Sequence, residues 1–276
     1  QGSTFNGFFN NYDGLASGLQ PIGVKYDDAS RKVVCTLEQD DIMDGLNWLH
    51  KWYQDGIINP DANVVTDGGK GSIFGSAQGW PAAATTWAFN QGIEKYDLTQ
   101  VFGPLYTTET IQGSMNAISA NSKYKTEALK VLQLMNTDSK FRDMCAYGTE
   151  GNYMEYAEDG TVQKLRDDWN WPSYTQGTFF ILSTQADGDP DAWNQVKEQN
   201  ESATASTCLG FALDVTNIQN EIANCNTVWD KYKNDLLTGA SDPATAVPAC
   251  IEELKAAGLD TVIEEAQKQV DEFFAN

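Results

Sequence analysis

The chain has 276 residues and carries 18 Lys and Arg against 39 Asp and Glu, a formal net charge of −21. At about 150 residues per domain, this length predicts one large or two ordinary domains with ample core. A surface this acidic repels phosphate backbones and anionic lipid headgroups, so nucleic acid is excluded as a natural partner. Eight Trp and 11% aromatic residues point to a folded chain, since disordered ones are aromatic-poor. No run approaches the roughly 20 apolar residues of a membrane span.

The start, Gln1-Gly2-Ser3-Thr4-Phe5, has neither the charged nor the apolar region of an export signal, so any such signal is expected outside these residues. The first thirty residues are rich in Gly, Asn and Phe without a 3.6-residue period, which predicts loops and short strands up to a turn at Tyr26-Asp27-Asp28-Ala29-Ser30. Arg31 to Thr36 reads as a strand. Ile42, Leu46, Leu49 and Tyr53 then recur at helical spacing, and Asp55-Gly56 with Asn59-Pro60 ends that helix. Gly68-Gly69-Lys70-Gly71-Ser72 resembles the tail of a phosphate loop, but Gly71 separates Lys70 from Ser72 and the earlier glycine of that motif is missing. It is read as a turn into a short strand, Ser72-Ile73-Phe74, followed by the loop Gly79-Trp80-Pro81.

A second strand-like run, Ile111 to Ile118, precedes a helix around Thr126 to Met135 with Ala128, Leu132 and Met135 on one face. A strand feeding a helix predicts an α/β fold. From Asp189 the chain turns helical: Pro190 suits a first turn, and Trp193, Val196 and Asn200 follow. Ile218, Ile222, Cys225, Trp229, Tyr232 and Leu236 form a long apolar stripe ending at Thr238-Gly239. Two more helices are predicted, Ala244 to Ala257 and Thr261 to Phe274.

Few residues carry recognisable chemistry. His50 is the single histidine and lies beside the apolar stripe of its helix, which places it on a helix surface and disfavours histidine-based catalysis. Cys35, Cys145, Cys208, Cys225 and Cys250 are odd in number with no C-x-x-C pair; buried thiols are expected, with one disulfide from Cys208 to Cys225 or Cys250 left open. Asp187, Asp189, Asp191 and Glu198 fit positions of a calcium loop, yet Ala192 stands where its glycine belongs, and capping of a helix by Asp189 accounts for the same residues. No metal or cofactor is expected. The aromatic set is more informative: Trp80, Trp87 and the run Asp167-Asp168-Trp169-Asn170-Trp171-Pro172 place large rings in Gly-, Pro- and Asn-rich loops. Rings beside Asp, Asn and Gln are what a sugar site needs, a flat face for C–H groups and polar side chains for hydroxyls.

The segment order Asp44 to Asp61, Gly69 to Gly75 with Gly79-Trp80, Ile111 to Ser119 and Ala128 to Asp138 resembles the family 1 extracellular solute-binding proteins of bacterial ABC importers. Tyr147 to Tyr153, Asn200 to Ala203, Leu209 to Phe211, Ile218 to Ile222, Leu237 to Gly239, Asp242-Pro243 and Leu254 to Asp260 are closer to its lipoprotein-type subgroup with a C-terminal domain of unknown function. The resemblance covers the C-terminal portion of such a protein. It implies a periplasmic-binding-protein-like fold of type II, with a partial two-lobe architecture and a helical C-terminal region. Residues 1–105 would be the later half of one α/β lobe, 106–150 the returning segment of the other, and 151–276 the mostly helical end.

The implied function is non-catalytic capture of an oligosaccharide by closure of two lobes. The implied partners are the small-molecule ligand and the membrane permease subunits, in a monomeric cell-surface lipoprotein. Carried over by position, Trp80 would be a stacking platform, Gln112, Gly113 and Asn116 would line the crossing strand, Asn152 and Tyr153 the cleft mouth, and Trp171 and Phe211 would add aromatic contacts. The residues equally admit a peptide as cargo, or a secreted glycoside hydrolase or carbohydrate-binding module.

Overall fold

The computed structural model describes residues 4–65, 78–81, 83–84, 97–166, 168–169 and 171–275. The phosphate-loop-like turn at Gly68 to Ser72, the strand Ser72 to Phe74, Trp87, Asp167 and Asn170 lie outside the described residues. The chain divides into two compact units, the first made of Gln1–Gly75, Tyr106–Thr110 and Ala205–Asn276, the second of Ser76–Leu105 and Ile111–Thr204. Five residues of 106–150 belong with the first unit, and residues 151–276 divide after Thr204.

In the first unit β1 (Tyr12–Asp13), β2 (Ile22–Lys25) and β3 (Val33–Cys35) form an antiparallel sheet in that order, with Ile22 opposite Cys35 and Tyr12 opposite Lys25. β3 is shorter than the predicted strand, and its outer edge is occupied: Val33 N–H donates to Gln267 Oε1 at 2.8 Å, and Gln267 Nε2 donates to the Arg31 carbonyl at 3.3 Å. One amide side chain thus satisfies an edge that would otherwise invite another strand.

The helix α1 (Asp40–Gln54) buries Ile42, Leu46 and Leu49, as its spacing requires. The second unit supplies the one-turn helix's successor residues, whereas the turn itself, α2 (Thr108–Ile111), starts in the first unit. The C-terminal half of the first unit consists of α6 (Gln219–Thr238), α7 (Pro243–Ala257) and α8 (Leu259–Phe274).

Their stripes meet in one core: Ile222, Cys225, Trp229 and Leu236 of α6, Val247, Cys250 and Leu254 of α7, and Val262, Ala266 and Val270 of α8, packed with Ile22, Val24, Val33 and Leu37. Burying each large aliphatic side chain is worth about 1.5–3 kcal/mol. The Trp229 indole lies edge-on to Phe9 at 6.0 Å and its Nε1 donates to Gln20 Oε1 at 3.2 Å, so the ring is buried without losing its hydrogen bond. Local signals set the helix ends: Asp242 Oδ1 accepts from Ala244 N–H at 3.0 Å ahead of Pro243, while Gly239 and Gly258 close α6 and α7 in the left-handed conformation at φ 76° and 111°. His50 is half-buried rather than on an outer surface, with Nδ1 2.8 Å from the Gly239 carbonyl.

In the second unit α3 (Lys125–Thr137) leads through Asp138, whose Oδ1 accepts from Phe141 N–H at 2.9 Å, into α4 (Ser139–Tyr147). A hairpin follows, β5 (Met154–Tyr156) against β6 (Val162–Lys164), with Met154 opposite Lys164. Its turn contains Gly160 at φ 83°, and Asp159 Oδ1 accepts from the Thr161 N–H and hydroxyl. Among the described residues a buried cluster is formed by Tyr147, Met154, Val162 and Leu182, with Ala146, Tyr156, Phe179 and Trp193 packed on it. Two short strands, β4 (Leu105–Tyr106) and β7 (Thr204–Ala205), pair with each other.

Two expectations are corrected here. Ile111 to Ile118 is not a strand: α2 ends at Ile111 and the next residues are irregular and largely exposed. An extended segment needs a neighbour for its N–H and C=O groups, and among the described residues no strand pairs with this one. Asp189 does not cap a helix N-terminus. The helix α5 (Ala192–Glu201) begins later, and Asp189 instead accepts from Asp191 N–H at 2.9 Å and Gln195 Nε2 at 2.7 Å, with Glu198 well inside the helix. Among the described residues no group of three or more His, Cys, Asp or Glu is arranged to hold a metal, and no helix is long and apolar enough to cross a membrane.

All five cysteines are free, four of them buried and Cys145 half-buried. Burial pushes the Cys250 thiol up to about 12 and those of Cys35, Cys208 and Cys225 up to about 11, so the reactive thiolate is suppressed at neutral pH. The expected outcome with a disulfide-exchange reagent at pH 8 is at most one thiol, Cys145, reacting in the native protein and all five in guanidinium. Rapid native reaction of two or more would contradict this burial.

Candidate ligand-binding site

The second unit gathers most of the residues singled out from the sequence. Gly148 ends α4 at φ 90°, and a Cβ there would lie 2.5 Å from the Tyr153 Cβ, so glycine lets the turn fold the Tyr153 side chain back against the helix end. Tyr153 N–H donates to the Thr149 carbonyl at 2.9 Å, and its own carbonyl accepts from Leu165 N–H at 2.8 Å, tying the turn to the end of the hairpin. The Tyr153 ring packs 5.3 Å from the Trp169 ring at an interplanar angle of 56°. Trp169 Nε1 donates to the Cys145 carbonyl at 3.0 Å, which fixes that indole. The Arg166 guanidinium sits 4.8 Å from the Tyr153 ring centroid and its Nε donates to Asp168 Oδ1 at 2.9 Å. That hydrogen bond holds the Asp168 carboxyl below the usual carboxylate range, so it stays an acceptor at neutral pH. Asn152 is exposed next to Tyr153. Tyr153 and Trp169, both half-buried, thus lie with Arg166 and Asp168 in one turn-and-loop region.

Two consecutive residues of α4, Arg142 and Asp143, are buried charges. Arg142, with 0% exposure, donates from Nε to the Thr178 carbonyl at 3.0 Å and from Nη2 to the Ser173 carbonyl at 2.9 Å, and its guanidinium lies 5.5 Å from the Phe179 ring. Phe179 in turn stacks on Trp193 at 4.9 Å. Asp143 accepts from Ser183 N–H at 2.9 Å, Ser183 Oγ at 2.8 Å and the Tyr156 hydroxyl at 2.9 Å, and burial with the Asp143 charge pushes the Tyr156 phenol up. The pair therefore anchors the long loop after Trp171 and the hairpin to one helix. Arg142→Met leaves the Ser173 and Thr178 carbonyls without these donors and is expected to destabilise the protein by about 2–4 kcal/mol, read as a lowered urea midpoint. A variant of unchanged midpoint would show that the loop does not depend on it.

The other expected positions fall as follows. Trp80 is half-buried, and its carbonyl accepts from Ala83 N–H at 2.9 Å. Gln112, Gly113 and Asn116 are exposed on the irregular stretch after α2. Trp171 is half-buried, two residues before Ser173, and its Nε1 has no hydrogen-bond partner among the described residues. Phe211 differs from expectation: it is 4% exposed in the core of the first unit, edge-on to Phe273 at 5.6 Å, and serves packing there. Sequence reading did not find the joining of Tyr153 to Trp169 or the Arg142-Asp143 anchor. The Asp159-Gly160 turn signal could have revealed the hairpin that sets the first; no local pattern marks the second.

Known proteins supply the context for this geometry. Residues 207–275 match DUF3502, a domain of unknown function. The chain is 27% identical over 283 aligned positions to a carbohydrate ABC transporter substrate-binding protein of Streptococcus pneumoniae, covering 97% of this chain and 57% of that one. It superposes on NgtS, an N-glycan transport solute-binding protein of the same species, at a TM-score of 0.83 and 25% identity over 96% of this chain. The fold is that of a type II solute-binding protein. An HMO-binding, ABC-transporter-associated solute-binding protein from Bifidobacterium longum infantis matches at a TM-score of 0.52 and 15% identity, a likeness of fold. The resemblance to the solute-binding proteins, with their C-terminal domain of unknown function, is thus borne out over the C-terminal portion. The chain spans 57% of the pneumococcal relative and 61% of NgtS.

Proposed function

We propose that the protein is the substrate-binding component of an ABC importer whose cargo is an oligosaccharide. The observation that carries this reading is the agreement with NgtS over 96% of the chain, at TM-scores of 0.79 and 0.75 with that protein's complexes with Man1GlcNAc and Man5GlcNAc. The second unit adds the matching chemistry: the Tyr153 and Trp169 rings for the C–H face of a sugar, and Asn152, Arg166 and Asp168 for its hydroxyls. Trp80, Gln112, Gly113, Asn116 and Trp171 are proposed as further contacts. Binding without turnover, an extracellular lipid-anchored setting, permease subunits as partners and a monomeric state complete the proposal. A thermal-shift screen of the protein against glycans and peptides tests it: a midpoint raised by mannose- or N-acetylglucosamine-containing oligosaccharides supports the reading, and stabilisation by peptides alone overturns it.

A further inference from the structure

Among the described residues four buried side-chain polar atoms have no hydrogen-bond partner: Arg142 Nη1, Trp171 Nε1, Trp193 Nε1 and Thr207 Oγ1. The first three belong to the second unit, and all three are N–H groups, which donate and cannot accept. Printed contacts link them. The Arg142 guanidinium lies 5.5 Å from the Phe179 ring, and Trp193 stacks on that same ring at 4.9 Å. Ser173, whose carbonyl accepts from Arg142 Nη2, donates its own N–H to the Trp171 carbonyl at 2.8 Å. A Cβ on Gly177 would meet Arg142 Nε at 3.0 Å, so the loop closes on the guanidinium there too.

A fully buried arginine is ordinarily paired with an anion. Arg142 makes no ion pair among the described residues, and the neighbouring Asp143 carboxylate is taken up by Ser183 and Tyr156. Burial lowers the pKa of the guanidinium, the direction expected of a charge its surroundings do not fully balance. What would meet this need is an acceptor that is negatively charged, small enough for a place closed to solvent, and free of O–H groups of its own. A water molecule brings two O–H groups that themselves need acceptors. We propose that Arg142 Nη1 holds a small monovalent anion of the halide class, with the indole N–H groups of Trp171 and Trp193 as the further donors. The ion neutralises the guanidinium that ties the Ser173 and Thr178 carbonyls to α4, and so stabilises the second unit.

The test uses the protein without glycan, so that failure of the glycan reading leaves its result unaffected. Thermal midpoints are measured as sodium chloride or sodium bromide replaces sodium methanesulfonate at constant ionic strength, which holds screening of the −21 charge fixed. Either halide is expected to raise the midpoint by about 2–5 °C at about 0.2 M, along a saturating curve. Trp171→Phe and Trp193→Phe each keep an aromatic ring and remove one donor, and at least one of them is expected to cut that rise by half or more. The rise is read within each variant, so a lower starting midpoint does not obscure it. Arg142→Lys, which keeps the charge and loses the planar fork, is expected to abolish the rise where it folds. A bromide-soaked crystal is expected to show an anomalous peak within hydrogen-bond distance of Arg142 Nη1. Equal midpoints in halide and methanesulfonate, a rise that does not saturate, a full rise in both indole variants, or bromide absent from Arg142 would overturn the inference.

Discussion

Gly239→Ala lowers the thermal midpoint by roughly 6–12 °C, the size expected for a loss of about 3 kcal/mol in a protein of this length. Two effects combine at this residue. Gly239 closes α6 at φ 76°, a conformation that costs a residue with a Cβ about 1–2 kcal/mol. The added Cβ would also lie 2.2 Å from the Leu49 carbonyl oxygen and 2.7 Å from the His50 nitrogen, both backbone atoms of α1 that cannot swing aside. Overpacking against backbone costs a further 1–3 kcal/mol or so. The Gly239 carbonyl meets His50 Nδ1 at 2.8 Å, so displacing the turn also breaks the side-chain tie between the two helices. Calorimetric melting of the variant reads the sum. Gly18→Ala, at φ 71° but with nothing within 4 Å of the added Cβ, is the control that isolates the conformational part and is expected to cost about a third as much.

Tyr153→Ala is expected to weaken oligosaccharide binding by about 1–3 kcal/mol, or roughly 5- to 150-fold in Kd, the scale of losing a stacked ring at the centre of a binding surface. The ring also holds the Arg166 guanidinium at 4.8 Å and the Trp169 indole at 5.3 Å, so its removal loosens the neighbouring groups as well. Tyr153→Phe keeps the ring and both packing contacts and is expected to retain affinity within a few fold. Calorimetric titration separates the two variants, and circular dichroism checks that the β5–β6 hairpin survives. Equal affinity for Tyr153→Ala and the unaltered protein would remove this ring from the site.

The helices of the first unit are legible in the sequence because one stripe, one cap and one stop signal act together in each. The α6 stripe from Ile222 to Leu236 ends at Gly239, and Asp242-Pro243 opens α7 within one residue of the expected start. The three-stranded sheet is less legible, since its edge is completed by Gln267, more than two hundred residues from Val33. Ile111 to Ile118 reads as a strand-like run, but local composition does not supply the partner that makes a segment a strand. At the candidate site, Tyr153 was marked by its position in a family pattern, while Trp169, Arg166 and Asp168 reach it through a hairpin whose strands are only three residues each. Phe211 shows the converse: an aromatic in a matching motif that packs in the core against Phe273.

The central claim is that this protein captures oligosaccharide without transforming it. Isothermal titration of the whole protein with Man1GlcNAc and Man5GlcNAc, with the solution analysed for products afterwards, tests it most directly. The account predicts saturable heat with one ligand bound per chain and the glycan recovered intact. No heat with any glycan, or recovery of hydrolysed sugar, would contradict it.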